Sequence, residues 1–133
     1  MKFDFHRFSR IAASVYNDNN LYSLSDCLSV FKCYFETYEE FTGRVHPPIR
    51  ASQIARIMQD MPYVDGEPSE ELFDEIKKIV PQWEPKPDIE PDLYQLIIRR
   101  HFKTKYRSCD YNINHFFTGK IRELRIYEID KGM

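Results

Sequence analysis

Glycine is scarce in this chain of 133 residues, which contains only Gly43, Gly66, Gly119 and Gly132. Loops that cradle phosphate groups need clustered glycines, because their backbone N–H groups must approach the ligand closely. Glycines this far apart predict no such loop. We therefore expect neither a nucleotide-binding site nor any other bound cofactor.

Cysteine and long apolar runs are also scarce. Three cysteines, Cys27, Cys33 and Cys109, do not make a disulfide framework, so they indicate a reducing compartment. The longest aliphatic run is residues 96–98, whereas a membrane helix needs about 20 apolar residues. The first eight residues are interspersed with charges and lack the apolar stretch of a signal peptide. These absences predict a cytoplasmic protein with no membrane partner.

Apolar material for a core is nevertheless abundant. Hydrophobic residues make up 42% of the chain and aromatic residues 15%, while the 30% of charged residues mix both signs. This composition differs from that of a disordered chain. Apolar residues recur at three- and four-residue steps, which is typical of amphipathic helices. We predict an all-α fold, a single compact domain spanning 1–133 with five to six helices, and a short β-hairpin remains possible at an end.

Five helices can be placed from their apolar faces and their end signals. Ser23 and Ser69 are expected N-caps, and Gly43 stands where a helix should stop. The predicted helices span about 3–16, 24–42, 51–60, 70–80 and 92–104. In the fourth helix, the residues expected to face the core are Leu72, Phe73, Ile76, Ile79 and Val80.

A proline-rich strap is predicted at 81–91. Its four prolines exclude both a helix and a central strand, because proline lacks the backbone N–H and fixes its own backbone angle. Trp83 and Ile89 are expected to pin this strap to the core.

The segment from Tyr111 onward allows two interpretations. Its apolar residues fit one helical face from 111 to about 128, but Gly119 lies inside this stretch and costs about 1 kcal/mol relative to alanine. Either one helix spans the segment, or a helix ends at Gly119 and a second element, helix or strand, begins at Lys120. The alternation of residues 122–129 is poor for a strand, so a helix is favoured there.

Charge is segregated along the chain. Residues 60–92 contain eleven acidic and three basic side chains, for a net charge of −8. Residues 93–125 contain eight basic and two acidic side chains, for a net charge of +6. The overall net charge of −2 therefore combines an acidic middle with a basic C-terminal third.

The basic third suggests a surface that contacts nucleic acid or a protein partner. Arginine and lysine contact phosphates, while tyrosine and asparagine can stack on bases or hydrogen-bond to them. Two alternatives are that the basic third neutralises the acidic segment internally, or that both are ordinary solvated helix faces. The candidate contact residues are Arg99, Arg100, Lys103, Lys105, Arg107, Tyr111, Asn112, Asn114, Lys120, Arg122 and Arg125.

Aromatic content favours a protein-interaction module. Nine tyrosines and ten phenylalanines are many for this length, and exposed aromatic residues are enriched at interfaces. The tyrosines that fall off the strongest apolar stripes are Tyr22, Tyr34, Tyr63, Tyr94 and Tyr106. The preferred function is a non-enzymatic accessory or regulatory protein that acts through contacts with a protein partner or with itself. Nucleic-acid binding through 93–125 is the second hypothesis.

A third hypothesis places a metal site or a Cys/His site at Cys109, Asp110 and His115. These residue types can bind a metal or act as nucleophile and base, but their spacing matches no closed zinc site. The acidic cluster 70–75 is interpreted as an exposed helix face, partly offset by Lys77 and Lys78, rather than as a magnesium site.

Overall fold

The computed structural model describes residues 3–64, 69–84, 86–103, 109–118 and 120–132. Within these ranges the chain forms seven α-helices and no strand. The helices are α1 Phe5–Val15, α2 Leu24–Thr42, α3 Ala51–Asp60, α4 Glu70–Ile79, α5 Leu93–Lys103, α6 Ile113–Phe116 and α7 Ile121–Asp130. The all-α prediction is confirmed, although the predicted number of helices was too small. No helix among the described residues is long and apolar enough to cross a membrane.

Of the two interpretations of the segment after Tyr111, the two-element one is observed, and its second element is a helix, as favoured. Asn112 caps α6 by accepting a hydrogen bond from the backbone N–H of Asn114 at 2.9 Å. After α6, the backbone N–H and the hydroxyl of Thr118 both donate to the His115 carbonyl, which closes a tight turn. A separate helix, α7, begins at Ile121. Gly119 itself lies outside the described residues.

Both ends of α2 follow the predicted signals. The Ser23 hydroxyl accepts a hydrogen bond from the backbone N–H of Asp26 at 3.1 Å. At the other end, Gly43 adopts a left-handed conformation with φ 71°, and its N–H donates to the Glu39 carbonyl. The helix therefore runs between a serine cap and a glycine stop.

Aromatic side chains of α2 form the centre of the core. Phe31, Tyr34, Phe35 and Tyr38 are all buried on one side of this helix. α2 packs against α5 and α1, while α1 also contacts α3 and α5 also contacts α7. The ring of Tyr34 lies 5.2 Å from that of Phe102 on α5, centroid to centroid. Edge-to-face aromatic packing thus joins α2 to α5.

Four of the tyrosines expected at the surface are buried instead. Tyr22, Tyr34, Tyr63 and Tyr94 all lie in the interior. Their burial is possible because phenol groups find partners inside: the hydroxyl of Tyr34 donates to the Tyr111 carbonyl at 2.6 Å. The hydroxyls of Tyr22 and Tyr94 donate to the carbonyls of Ile89 and Met61. Tyr106 lies outside the described residues.

The prediction that α4 buries an apolar face was wrong. No residue of α4 is buried, and Leu72, Ile79 and Val80 are 48%, 82% and 45% exposed. Phe73 and Ile76 are half-buried, and α4 contributes no residue to the core. The local pattern is amphipathic as predicted, but the helix lies away from the core that would cover its apolar side.

The chain around α4 explains this position. The Pro62 carbonyl accepts hydrogen bonds from the backbone N–H groups of Asp88 and Ile89, so the chain leaves the core and returns at one point. Ile89 is buried there, as predicted. Trp83 is half-buried and packs on Phe73, with ring centroids 5.5 Å apart. The tryptophan therefore covers part of α4 rather than pinning the strap to the core.

Candidate functional site

The basic third is less exposed than its sequence implied. Arg99, Lys103 and Lys120 are exposed, while Arg100 is half-buried. Lys105 and Arg107 lie outside the described residues. Lys120 also lies 3.3 Å from a carboxylate oxygen of Glu123, one turn along α7.

Arg122 is an interior residue, with 2% of its surface exposed. One terminal nitrogen donates to the Asp60 carbonyl and to the Tyr94 hydroxyl, both at 2.9 Å. The other donates to the Val64 carbonyl at 3.2 Å, and the guanidinium stacks 4.9 Å from the ring centroid of Phe117. Arg122 thus joins α7 to α5, to the end of α3 and to the loop after it.

Arg125 is also buried, in a polar cluster between α5 and α7. Its Nε donates to Nδ1 of His101 at 3.3 Å, and its Nη1 donates to Glu128. Arg100 reaches the other Glu128 oxygen at 3.0 Å. Burial alone would raise the pKa of Glu128, but hydrogen bonds from Arg125 and Arg100 outweigh it and hold that pKa below its usual value. Three predicted surface residues, Arg100, Arg122 and Arg125, therefore have internal partners.

His101 completes this cluster as a neutral side chain. It is 1% exposed, and burial lowers its pKa to about 4, with the positive charge of Arg125 acting in the same direction. Because Nδ1 accepts from Arg125, the proton of the neutral ring lies on Nε2, which is buried without a hydrogen-bond partner among the described residues.

His46 is a second buried histidine. Its Nδ1 donates to the Pro47 carbonyl at 2.8 Å, and its Nε2 accepts from the backbone N–H of Ile113 at 3.0 Å. His46 therefore satisfies a free donor at the start of α6. Burial lowers its pKa as well. Its position after the Gly43 stop gave no signal of this long-range contact.

The polar residues Tyr111, Asn112 and Asn114 have partners within the chain. Tyr111 is buried with φ 58°, and its carbonyl accepts from the Tyr34 hydroxyl. Asn112 and Asn114 are half-buried, and the Asn112 side chain serves as the cap of α6. Because Tyr111 is buried and both asparagines are half-buried, the set does not form one exposed surface.

The residues of the third hypothesis line a shallow groove of about 390 Å³. There Cys109 Sγ accepts from the Tyr111 N–H at 3.3 Å, and an Asp110 oxygen accepts from the Asn112 N–H at 2.9 Å. His115 is exposed on α6. Across the part of the chain that the structure describes, no three His, Cys, Asp or Glu side chains are placed to hold a metal ion. The groove therefore gives the metal hypothesis no support.

The exposed side of α4 is the other candidate, and sequence reasoning missed it by assigning the same residues to the core. We call it the α4 surface, and it comprises Leu72, Phe73, Ile76, Ile79, Val80 and Trp83. Ser69 caps the helix by accepting from the Leu72 N–H at 3.3 Å. Acids in the first turn and lysines in the last complement the helix dipole, which helps α4 remain helical without deep packing.

Acidic side chains predominate in the segment that carries the α4 surface. In residues 69–92 eight acids and three lysines are all exposed, which leaves a net charge of −5. The acids are Glu70, Glu71, Asp74, Glu75, Glu84, Asp88, Glu90 and Asp92. Lys77 lies 4.9 Å from the ring centroid of Phe73, so its stem covers part of that ring. By helical spacing, Glu71 and Glu75 form an acidic border along one edge of the apolar strip.

Comparisons with protein-family models, with curated proteins and with solved structures found no match to this chain.

Proposed function

We propose that this chain is a non-enzymatic accessory or regulatory protein of the cytoplasm that acts through protein–protein contacts at the α4 surface. One observation carries the proposal: α4 exposes the apolar face that an amphipathic helix normally buries. Contiguous exposed apolar patches with a polar border are typical of interaction sites.

The energy available at this face is substantial. Burying a leucine, isoleucine or valine side chain contributes roughly 1.5–3 kcal/mol relative to leaving it exposed. Leu72, Ile79 and Val80 keep between 45% and 82% of their surface open to solvent. Covering all three would contribute several kcal/mol, which is enough to make this strip the energetic centre of an interface.

Affinity capture with point variants tests the proposal. The Ile79→Ser variant removes the most exposed apolar side chain of α4, and Leu96→Ser is the matched control because Leu96 is 55% exposed on a different helix, α5. We expect wild-type chain and the Leu96 variant to capture the same proteins by quantitative mass spectrometry, and the Ile79 variant to lose them. Equal capture by all three chains would contradict the proposal.

A second candidate is nucleic-acid binding through three exposed basic side chains, those of Arg99, Lys103 and Lys120. Two or three phosphate contacts predict that affinity falls about ten- to fortyfold between roughly 50 and 200 mM salt. Fluorescence anisotropy with labelled DNA and RNA measures this, and the triple variant with glutamate at the three positions should not bind. Arg122 and Arg125 are unsuitable for the test, since both are buried. Absence of binding at the lower salt removes this candidate.

A further inference from the structure

We infer that the partner segment bound at the α4 surface is a basic amphipathic helix of another protein. This inference rests on the proposed function, because it names the chemistry of the partner at the same face. Its two grounds are the shape of the apolar strip and the charge around it.

The shape fits a helix. The apolar residues of α4 recur at spacings of three and four, so they form one straight strip along the helix axis. A second helix can lay its own apolar strip along this one, with side chains interdigitating at an interaxial distance of about 8–10 Å. A strip one helix wide therefore matches one partner helix.

The charge selects a basic helix. Glu71 and Glu75 lie along one edge of the strip by helical spacing. They belong to a segment, residues 69–92, whose eight acids and three lysines are all exposed and give a net charge of −5. A partner with acidic borders would meet like charge at Glu71 and Glu75, whereas lysines and arginines would meet opposite charge. Complementary potentials of this kind speed association and exclude wrong partners.

A second copy of this chain matches the charge along the apolar strip less well than a basic helix does. In an antiparallel pair of α4 helices related by a two-fold axis, each border faces the same border of the other copy. Glu71 and Glu75 on one copy would then lie near Glu71 and Glu75 on the other. The acidic border therefore favours a partner of opposite sign over self-association through α4.

Two synthetic peptides of the same length test the inference. Both carry leucines at helical three- and four-residue spacing. All remaining positions are lysine in the basic peptide and glutamate in the acidic peptide. We expect fluorescence anisotropy to show that the basic peptide binds the full chain at least about tenfold more tightly, because it forms several charge pairs where the acidic peptide meets like charge. Its affinity should fall with salt, as screening predicts.

Variants localise the binding. Ile79→Ser should weaken the basic peptide about tenfold, since it removes apolar contact area, while Leu96→Ser should leave it unchanged. The double variant Glu71→Lys with Glu75→Lys should shrink or reverse the preference for the basic peptide. Circular dichroism of each variant verifies that helix content is retained.

Three results would overturn the inference. They are equal binding of both peptides, basic-peptide binding that survives Ile79→Ser, and a dimer in analytical ultracentrifugation that Ile79→Ser abolishes. A different result would contradict the proposed function, so the two failures can be distinguished. If Ile79-dependent capture of proteins persists while the basic peptide does not bind, α4 is still a contact surface and only the chemistry of its partner is wrong.

Discussion

Replacing Arg122 with alanine should lower the free energy of unfolding by about 3–5 kcal/mol, a large part of the stability of a domain this size. The guanidinium donates to two carbonyls and one hydroxyl, on three separate parts of the chain. Without it, the Val64 carbonyl loses this donor, and an unsatisfied buried group costs roughly 1–3 kcal/mol. The Asp60 carbonyl also loses a donor, although the backbone N–H of Tyr63 still donates to it at 3.0 Å. The cavity beside the Phe117 ring adds to the loss.

Lysine at position 122 should recover only part of this loss. Its single ammonium group retains the charge but cannot reproduce the planar fork that reaches Asp60, Val64 and Tyr94 together. The matched control is Arg56→Ala, because Arg56 is exposed on α3 and forms only a 3.8 Å surface ion pair, which is worth at most about 1 kcal/mol. Urea denaturation measures all three variants. Equal losses at positions 56 and 122 would contradict the structural role of Arg122.

Acidification from about pH 7 to about pH 4.5 should lower the free energy of unfolding by roughly 2–3 kcal/mol through His101 alone. The pKa of this buried ring is about 4, below its ordinary value of 6.5. Between those values the unfolded chain binds a proton that the folded chain excludes, so stability is complete above about pH 6.5 and declines as the pH falls. His46, whose pKa is also lowered, acts in the same direction.

Other groups face His101 from both sides of the cluster. Arg125 and His115 oppose its protonation, while Glu128 favours it but less strongly. The lowered pKa of Glu128 adds a further loss of stability only below about pH 4.3, where the unfolded carboxyl becomes protonated. The histidine effect can therefore be separated from the carboxylate effect by the pH at which each appears.

The variant His101→Gln isolates the histidine contribution. Glutamine retains an acceptor for Arg125 but cannot take up a proton in this range. Denaturation at a series of pH values gives the number of protons that the chain binds on unfolding, from the slope of the free energy of unfolding against pH. Between about pH 4 and 6.5 this number should be smaller by up to one in His101→Gln than in the wild type. His6→Gln, on the exposed surface of α1, controls for the substitution itself. A parallel loss in wild type and His101→Gln would show that His101 is not held neutral by burial.

Local signals were sufficient to predict most of the helices. The spacing of apolar residues and the caps at Ser23, Gly43 and Ser69 located α2 and the start of α4 to within a residue. These signals act over one or two turns, so they can be found in the sequence. The break between α6 and α7 was harder, because it depends on a turn at Thr118 that competes closely with continued helix.

Burial could not be predicted with the same success. Leu72 and Ile79 have the spacing of core residues, yet they are exposed because the chain leaves the core at Pro62 and returns at Ile89. Conversely, Arg122 and Arg125 have the charge of surface residues, yet they are buried because partners more than twenty residues distant accept their hydrogen bonds. Periodicity identifies the apolar side of a helix, but tertiary contacts decide what that side meets.

The candidate site changed for the same reason. Composition suggested a basic surface at 93–125 and an interface of exposed tyrosines, and both depended on long-range contacts that the sequence does not reveal. Arg100 lies against Glu128, and Tyr34 and Tyr94 have hydroxyl partners in the interior. The acidic surface expected in the middle of the chain is present in residues 69–92, because all eight acids of this range are exposed.

The free energy of unfolding of two isoleucine variants tests most directly whether the α4 surface is a contact surface rather than part of the core. Ile79→Ser, on α4, should change stability by less than about 0.5 kcal/mol, because exposed positions contribute little to folding. Ile97→Ser, at a fully buried position of α5, should lower it by about 3 kcal/mol or more. A loss at Ile79 as large as that at Ile97 would contradict the claim, since it would mean that α4 is already covered within its own chain.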